Sequence, residues 1–392
     1  MLLVRNAKIL TMTGFDYDNG YIAAEGEKIT ALGDDAAELA RLEAAASEII
    51  DAKGCYVLPG FVDAHCHVGM WEDSVGFEGD DGNETSDPIM PHLRAIDAVY
   101  HADRAFVEAR ENGVTTVVTG PGSANVIGGQ FAALKTYGRR VEDMVIKAPV
   151  AMKVAFGENP KSVYHEKRQA PMTRMATAAL LRESLMKAVE YKKMKEDYER
   201  DSENFDKPDY DIKMEALLKV LNGEIPLKAH AHRADDILTA IRIAKEFGVG
   251  ITIEHCTEGY LISDILLEEN ISVITGPFLT DRSKIELRNQ SAKTPGILSK
   301  AGIKTAIMTD HPVTPVQYLP LCAAVAVKEG MDETEALKAI TINAAEITGI
   351  ADRVGSLEAG KDADIIIMDG YPLELKSRVL YTIINGQVVK RI

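Results

Sequence analysis

The sequence predicts an α/β chain: a (β/α)8 TIM-like barrel carrying a small β-sandwich domain built from both ends. Three observations predict it. Short apolar, β-branched runs alternate with helical patterns through the middle of the chain. Both ends are rich in strands. Several apolar runs end on a histidine or an aspartate.

The two ends read alike. Leu2-Leu3-Val4, Lys8-Ile9-Leu10 and Tyr21-Ile22-Ala23 are strand-like runs separated by turn residues. Near the other end come Asp364 to Met368, then Leu380 to Ile384, then Asn385-Gly386 and Gln387-Val388-Val389. Asn-Gly between two apolar runs is a strong hairpin signal. Residues 1–59 and 350–392 are therefore expected to form one composite β-sandwich domain around a barrel of residues 60–349.

Within the barrel segment the apolar runs are Phe61-Val62, Thr115 to Val118, Ile251 to Ile253, Ile271 to Ile274 and Thr305 to Met308. One helical stripe is Ile237, Ala240, Ile241, Ala244 and Phe247, with Asp235 or Asp236 as its cap. A second, with Leu181, Leu185 and Ala188, lies in the segment from about Thr173 to Lys195. A third runs from Asp332 through Leu337, Ile340, Ala344 and Ile347. Continuous apolar strands alternating with helices indicate a parallel sheet covered by helices. The length favours a barrel, while periodicity alone also admits a doubly wound sheet. Trp71 to Pro91 and Asp197 to Asp211 read as long loops. Gly120-Pro121-Gly122 and Gly128-Gly129 read as turns after the second strand, because no phosphate-loop Lys-Ser/Thr follows them.

Composition narrows the function. The chain has 392 residues, 46% hydrophobic and 27% charged, the values of a globular enzyme. Its formal charge of −16 repels phosphate backbones and anionic lipid, so neither nucleic acid nor a membrane is an expected partner. A small-molecule substrate is, with a second copy of the chain, as a homo-oligomer, the other partner considered. Four cysteines without a CxxC pair read as reduced thiols of a cytoplasmic protein. Cys66 and Cys256, next to candidate ligands, are expected to face the barrel wall.

The chemistry concentrates at strand ends. Pro59-Gly60-Phe61-Val62-Asp63-Ala64-His65-Cys66-His67 places two histidines at i and i+2, on one face of a strand, where two imidazoles can share a cation. Leu227-Lys228-Ala229-His230, Ile251 to His255 and Ala306 to Asp310 each end an apolar run in the same way. In a parallel barrel these ends open on one face, where active sites lie. His232 shares the face of His230 and is a possible ligand in its place, or faces the substrate. His311, beside Asp310, is expected to point away. His92, His101 and His165 read as surface residues, with His165 close to a substrate loop.

These motifs resemble those of the amidohydrolase superfamily, in particular its imidazolonepropionase-like and prolidase-like members. The resemblance runs almost end to end and includes Gly355 to Asp364, similar to the family's return into its β domain. It implies a binuclear centre of divalent ions, zinc first, with His65 and His67 on one ion and His230 and His255 on the other. Asp310 completes the first ion's set and handles protons; Asp310 and His255 are the residues assigned to catalysis. It also implies a carboxylated lysine bridging the ions. The best match is Lys153 in Ala151-Met152-Lys153-Val154, with Glu158 as a possible substitute and Lys135 as a weaker rival. A strand-end lysine reaching to solvent is the plain alternative for Lys153. The implied reaction is attack of a metal-bridging hydroxide on an amide or cyclic amide, such as an N-acyl amino acid, a dipeptide or a lactam-like ring. The alternatives are a mononuclear deaminase of a heterocycle and a non-catalytic metal-binding protein. Deaminases of this type carry Glu three residues after the strand-five histidine, where this chain has Arg233. Basic residues between Gly157 and Arg174, notably Arg168 and Arg174, suggest a carboxylate on the substrate.

Overall fold

The computed structural model describes residues 1–72 and 76–392; residues 73–75 of the expected acidic loop lie outside the described residues. The chain begins with five strands, β1 (Leu2–Ile9), β2 (Tyr17–Glu25), β3 (Lys28–Gly33), β4 (Glu48–Asp51) and β5 (Tyr56–Pro59). Three more close it, β14 (Ile365–Met368), β15 (Val379–Ile384) and β16 (Gln387–Arg391). All eight join in one sheet of order β16-β15-β14-β5-β1-β2-β3, with β4 also paired to β1. The two ends of the chain meet where β5 pairs antiparallel with β14. Alternation sends Leu3, Tyr21 and Ala23 to a core with Leu42 of the helix Ala36–Ala45. It sends Val4, Ile22, Ile50, Val57, Ile365 and Ile383 to another core. Asn385 (φ 49°) and Gly386 (φ 73°) turn β15 into β16, as the Asn-Gly pair predicts.

The second sheet is the barrel. Its strands are β6 (Phe61–Cys66), β7 (Val114–Thr119), β8 (Ile127–Lys135), β9 (Val145–Ala155), β10 (Leu227–Ala231), β11 (Ile251–His255), β12 (Ser272–Thr275) and β13 (Thr305–Ile307), paired in that order. Beyond the ladder, Asp310 N donates to His65 O (3.2 Å) and His67 N to His311 O (2.9 Å), drawing the last strand's end to the first.

One strand departs from the expected parallel barrel. β8 runs antiparallel to both β7 and β9. Gly128-Gly129, read from sequence as a turn, lie inside β8. Gly129 is needed there for close approach: its φ is +129°, and a Cβ on it would sit 2.7 Å from Leu93 O.

The helical stripes correspond to helices Ala234–Phe247 and Arg174–Arg200. The cap of the former is Arg233, not an aspartate; Glu258 Oε2 accepts from Ala234 N at 2.9 Å, while Asp235 and Asp236 lie in the first turn. The third stripe splits into Glu333–Ala339 and Ile342–Ile347, with Asp332 capping the former through Thr334 N and Glu335 N. Among the described residues no helix is long and apolar enough to cross a membrane.

Candidate metal centre

The C-terminal ends of the parallel strands bring two groups of ligating side chains together. His65, His67 and Asp310 form one, with ligand atoms within 4.8 Å of one another. The strand alternation of β6 puts both imidazoles on the inner face, and Asp310 Oδ1 lies 3.5 Å from His65 Nε2 and 3.2 Å from His67 Nε2. Each ring is turned by a contact on its other nitrogen. Gly120 O lies 2.7 Å from His67 Nδ1, and Glu254 Oε2 lies 3.1 Å from His65 Nδ1, short but poorly aligned for a hydrogen bond. A carboxylate or carbonyl behind Nδ1 keeps its proton there and leaves Nε2 bare. Lys228 Nζ, 2.9 Å from Glu254 Oε2, balances that buried anion.

The second group is His230, His232 and His255. Ring centroids are 4.4–4.7 Å apart. Gly276 O lies 2.9 Å from His255 Nδ1 and Thr257 Oγ1 lies 2.8 Å from His232 Nδ1. Among the described residues, both ring nitrogens of His230, and Nε2 of His232, have no hydrogen-bond partner. His255 and Asp310 hold left-handed backbone, φ 67° and 54°, a conformation that costs free energy and clusters at functional sites.

Burial sets the charge states. It pushes His65 down to about 3 and His255 to about 4, and holds His230 and His232 well below the usual imidazole value, so all four are neutral donors. Burial pushes the Asp310 carboxyl up, but His255, His65 and His67 more than offset it and leave Asp310 ionised. Lys153 is fully buried with Nζ 3.3 Å from His65 Nε2, and burial lowers its amine to about 8. It faces the same cavity as the histidines, not solvent.

Other expectations are corrected at Glu158, Lys135, Arg168 and Arg174 and met elsewhere. Glu158 contributes its backbone N–H, which donates to Glu286 Oε2 at 3.0 Å. Lys135 sits at the opposite barrel end, because β8 runs backwards, and pairs with Asp362 and Asp364. Arg174 Nε is 2.9 Å from Asp236 Oδ1, outside the central cavity, and Arg168 and His165 are exposed. Attraction to Asp236, 62 residues away, outweighs any loop role that local charge suggested. His311 Nδ1 accepts from Val316 N, away from both groups. His92 borders a separate cavity. Cys66 and Cys256 are buried, with Cys66 Sγ toward Val118 O, as expected of the wall-facing position.

Sequence reasoning missed three buried carboxylates. Glu254 backs His65. Asp63 accepts from His65 N (3.2 Å) and Thr309 Oγ1 (2.5 Å), tying β6 to the segment that carries Asp310. Glu286 stands beside His230 and His232. Of these only Asp63, inside the histidine motif, carried a local signal.

Both groups border one cavity of about 560 Å³, with Trp71, Pro277, Leu287 and Val313 on apolar walls and Asn83, Asn159 and Lys284 among its polar ones. Buried imidazole nitrogens without partners, paired with a carboxylate, are the donor set of a zinc-like cation, so the residues fit one.

The chain is similar to known proteins along most of its length. The model of the Amidohydrolase family matches residues 56–389. An imidazolonepropionase of Fusobacterium nucleatum is 24% identical over 394 residues, covering 90% of this chain and 85% of that protein. Amidohydrolase tasK of Hapsidospora irregularis is 29% identical over 363 residues, and an adenine deaminase of Listeria monocytogenes 24% over 399. The alignments cover 86% and 99% of this chain, but only 37% and 57% of those longer proteins. The crystal structure of an amidohydrolase from Thermotoga maritima is similar over 100% of both chains, with a TM-score of 0.95 and 42% identity.

Proposed function

Because the chain belongs to the amidohydrolase family, and with it to the hydrolases of carbon–nitrogen bonds other than peptide bonds, we propose that it opens an amide or cyclic amide of a small molecule at a centre for two divalent cations, zinc first. The observation that carries this reading is the pair of donor groups on one cavity, one of them with imidazole nitrogens that find no hydrogen-bond partner among the described residues. His65, His67 and Asp310 would hold one ion, and His230, His255 and His232 the other. Lys153, carboxylated by CO2, would supply a shared anionic ligand. A divalent ion in such a site lowers the pKa of water toward neutrality and polarises a carbonyl.

The protein's own residues do the rest. Asp310, ionised and bordering the cavity, is the group that takes a proton from attacking water and returns it to the leaving nitrogen. His255 is held by Gly276 O at its Nδ1, which fixes the ring toward the cavity. The apolar walls of Trp71 and Leu287 exclude water, and the cavity volume suits a metabolite-sized ligand. The carboxylate on the substrate loses its support from Arg168 and Arg174, since neither borders the cavity.

Aminohydrolysis of a heterocycle is the second reading. The similarity to adenine deaminases favours it, and the absence of a glutamate at Arg233 speaks against it.

Elemental analysis with a hydrolysis screen of acyl amino acids and cyclic amides tests the proposal. We expect about two equivalents of metal and turnover that Asp310→Asn lowers on the order of 10²–10⁴-fold with metal retained. Protein without metal, or a fully active Asp310→Asn enzyme, defeats it.

A further inference from the structure

His230 ends an inward-facing register on β10, His232 follows it two residues later, and His255 ends the neighbouring strand β11, so three imidazoles share one face. Opposite them stands Glu286, in the turn Ile285–Leu287 that follows β12. Its side chain is 1% exposed. Oε1 lies 3.7 Å from His232 Nε2 and 3.9 Å from His230 Nε2.

The carboxylate is fixed in that place. Its Oε2 accepts from Glu158 N at 3.0 Å. Gly157, with φ +82°, makes the approach possible: a Cβ there would come within 2.6 Å of Oε2. The chain after β9 and the chain after β12 thus clamp an anion against histidines from β10 and β11. Lys284 Nζ lies 2.9 Å from Oε1 and occupies one side of that oxygen. A carboxylate oxygen has room for a second positive partner, and the side facing the histidines has none from the protein. A positive centre between bare nitrogens and an anionic oxygen in a water-poor interior stabilises both. Donors on one zinc-like ion, at bond lengths of 2.0–2.2 Å and tetrahedral angles, lie about 3.4 Å apart. The separations of Glu286 Oε1 from His232 and His230 need to close by only a few tenths of an ångström.

We propose that Glu286 is a protein donor to the same cation as His230, His232 and His255, giving that position three nitrogens and one carboxylate oxygen. The proposal rests on the metal-hydrolase reading. It makes the two positions unequal. Before the shared ligand from Lys153 is counted, that position has four protein donors and the His65, His67 and Asp310 position three, so the latter keeps more room for water and substrate.

Titrating metal-free, full-length protein with Zn²⁺ by calorimetry, and with Co²⁺ by visible absorption, tests this. Glu286→Gln is expected to weaken uptake of one equivalent on the order of a hundredfold and to change the Co²⁺ bands of that equivalent alone. A folded Glu286→Gln protein with the wild-type binding profile overturns the donor role and leaves the hydrolase reading intact. Wild-type protein that takes up no cation overturns both. Should the variant not fold, the wild-type crystal structure with Zn²⁺ decides. Glu286 Oε1 within about 2.2 Å of the ion supports the proposal, and an ion without that contact overturns it.

Discussion

The two ends of the barrel each bury a cluster of polar side chains, and they satisfy it differently. At the end nearest the small sheet, Lys135 Nζ lies 2.9 Å from Asp362 Oδ2 and 2.5 Å from Asp364 Oδ2. Arg353 and Lys28 also reach Asp362, each at 2.7 Å, and Asn385 N donates to Asp364. At the other end, among the described residues, His230 has no hydrogen-bond partner on either nitrogen and His232 none on Nε2. Both clusters are almost completely buried. The difference teaches that buried charge alone does not mark a site. Where the protein supplies the opposite charge, the cluster is architecture; where bare donors converge on a cavity, the missing partner comes from outside.

That contrast can be broken by experiment. The largest effect is expected from Lys135→Met, which leaves Asp364 buried without a cation and Asp362 with Arg353 and Lys28 alone. Denaturant unfolding should show a loss of about 3–5 kcal/mol, with metal uptake unchanged. A neutral result would mean that water reaches the cluster and that the ends are not so different. The acid limb comes next. Burial pushes the Asp362 carboxyl up, but Lys135, Lys28 and Arg353 more than offset it, so its folded value lies below the ordinary one. The unfolded chain then binds the proton more readily, and the stability from this group is present above about pH 4 and lost as pH falls below that. Asp362→Asn should flatten the pH dependence of stability in that acid range; an unaltered acid limb would remove Asp362 from it. The smallest effect is expected at the histidine end. In metal-free protein His230→Leu removes groups that have no partner, so stability should change by no more than about 1 kcal/mol, while metal uptake falls. A large loss of stability in that variant would show that His230 is already satisfied.

Much of this contrast was legible in the sequence, but unevenly. His65, His67, His255 and Asp310 end apolar runs, and the geometry of a parallel barrel gathers strand ends by itself. Gly128-Gly129 misled because a glycine pair looks like a turn; its meaning depends on Leu93, which crowds Gly129 from a distant loop. Lys135 misled because its place depends on the direction of β8, and direction leaves no periodic trace. Glu286 was illegible because it lies in a polar loop, and its position is set by Gly157 and Glu158, 128 residues from it in the case of Glu158. Local patterns report which residues are buried together in an element. They do not report which distant loop closes over it.

The pairing of Lys135 with Asp364 also orders events in time. The two are 229 residues apart in sequence, and a ribosome adding 5–20 residues per second needs roughly 10–50 s to make that stretch. Through that interval the lysine of β8 is without the carboxylates that neutralise it, and β5 is without β14. The barrel floor can therefore seal only after the last strands emerge, so a stalled or shortened nascent chain exposes an open, charged barrel end to chaperones and proteases.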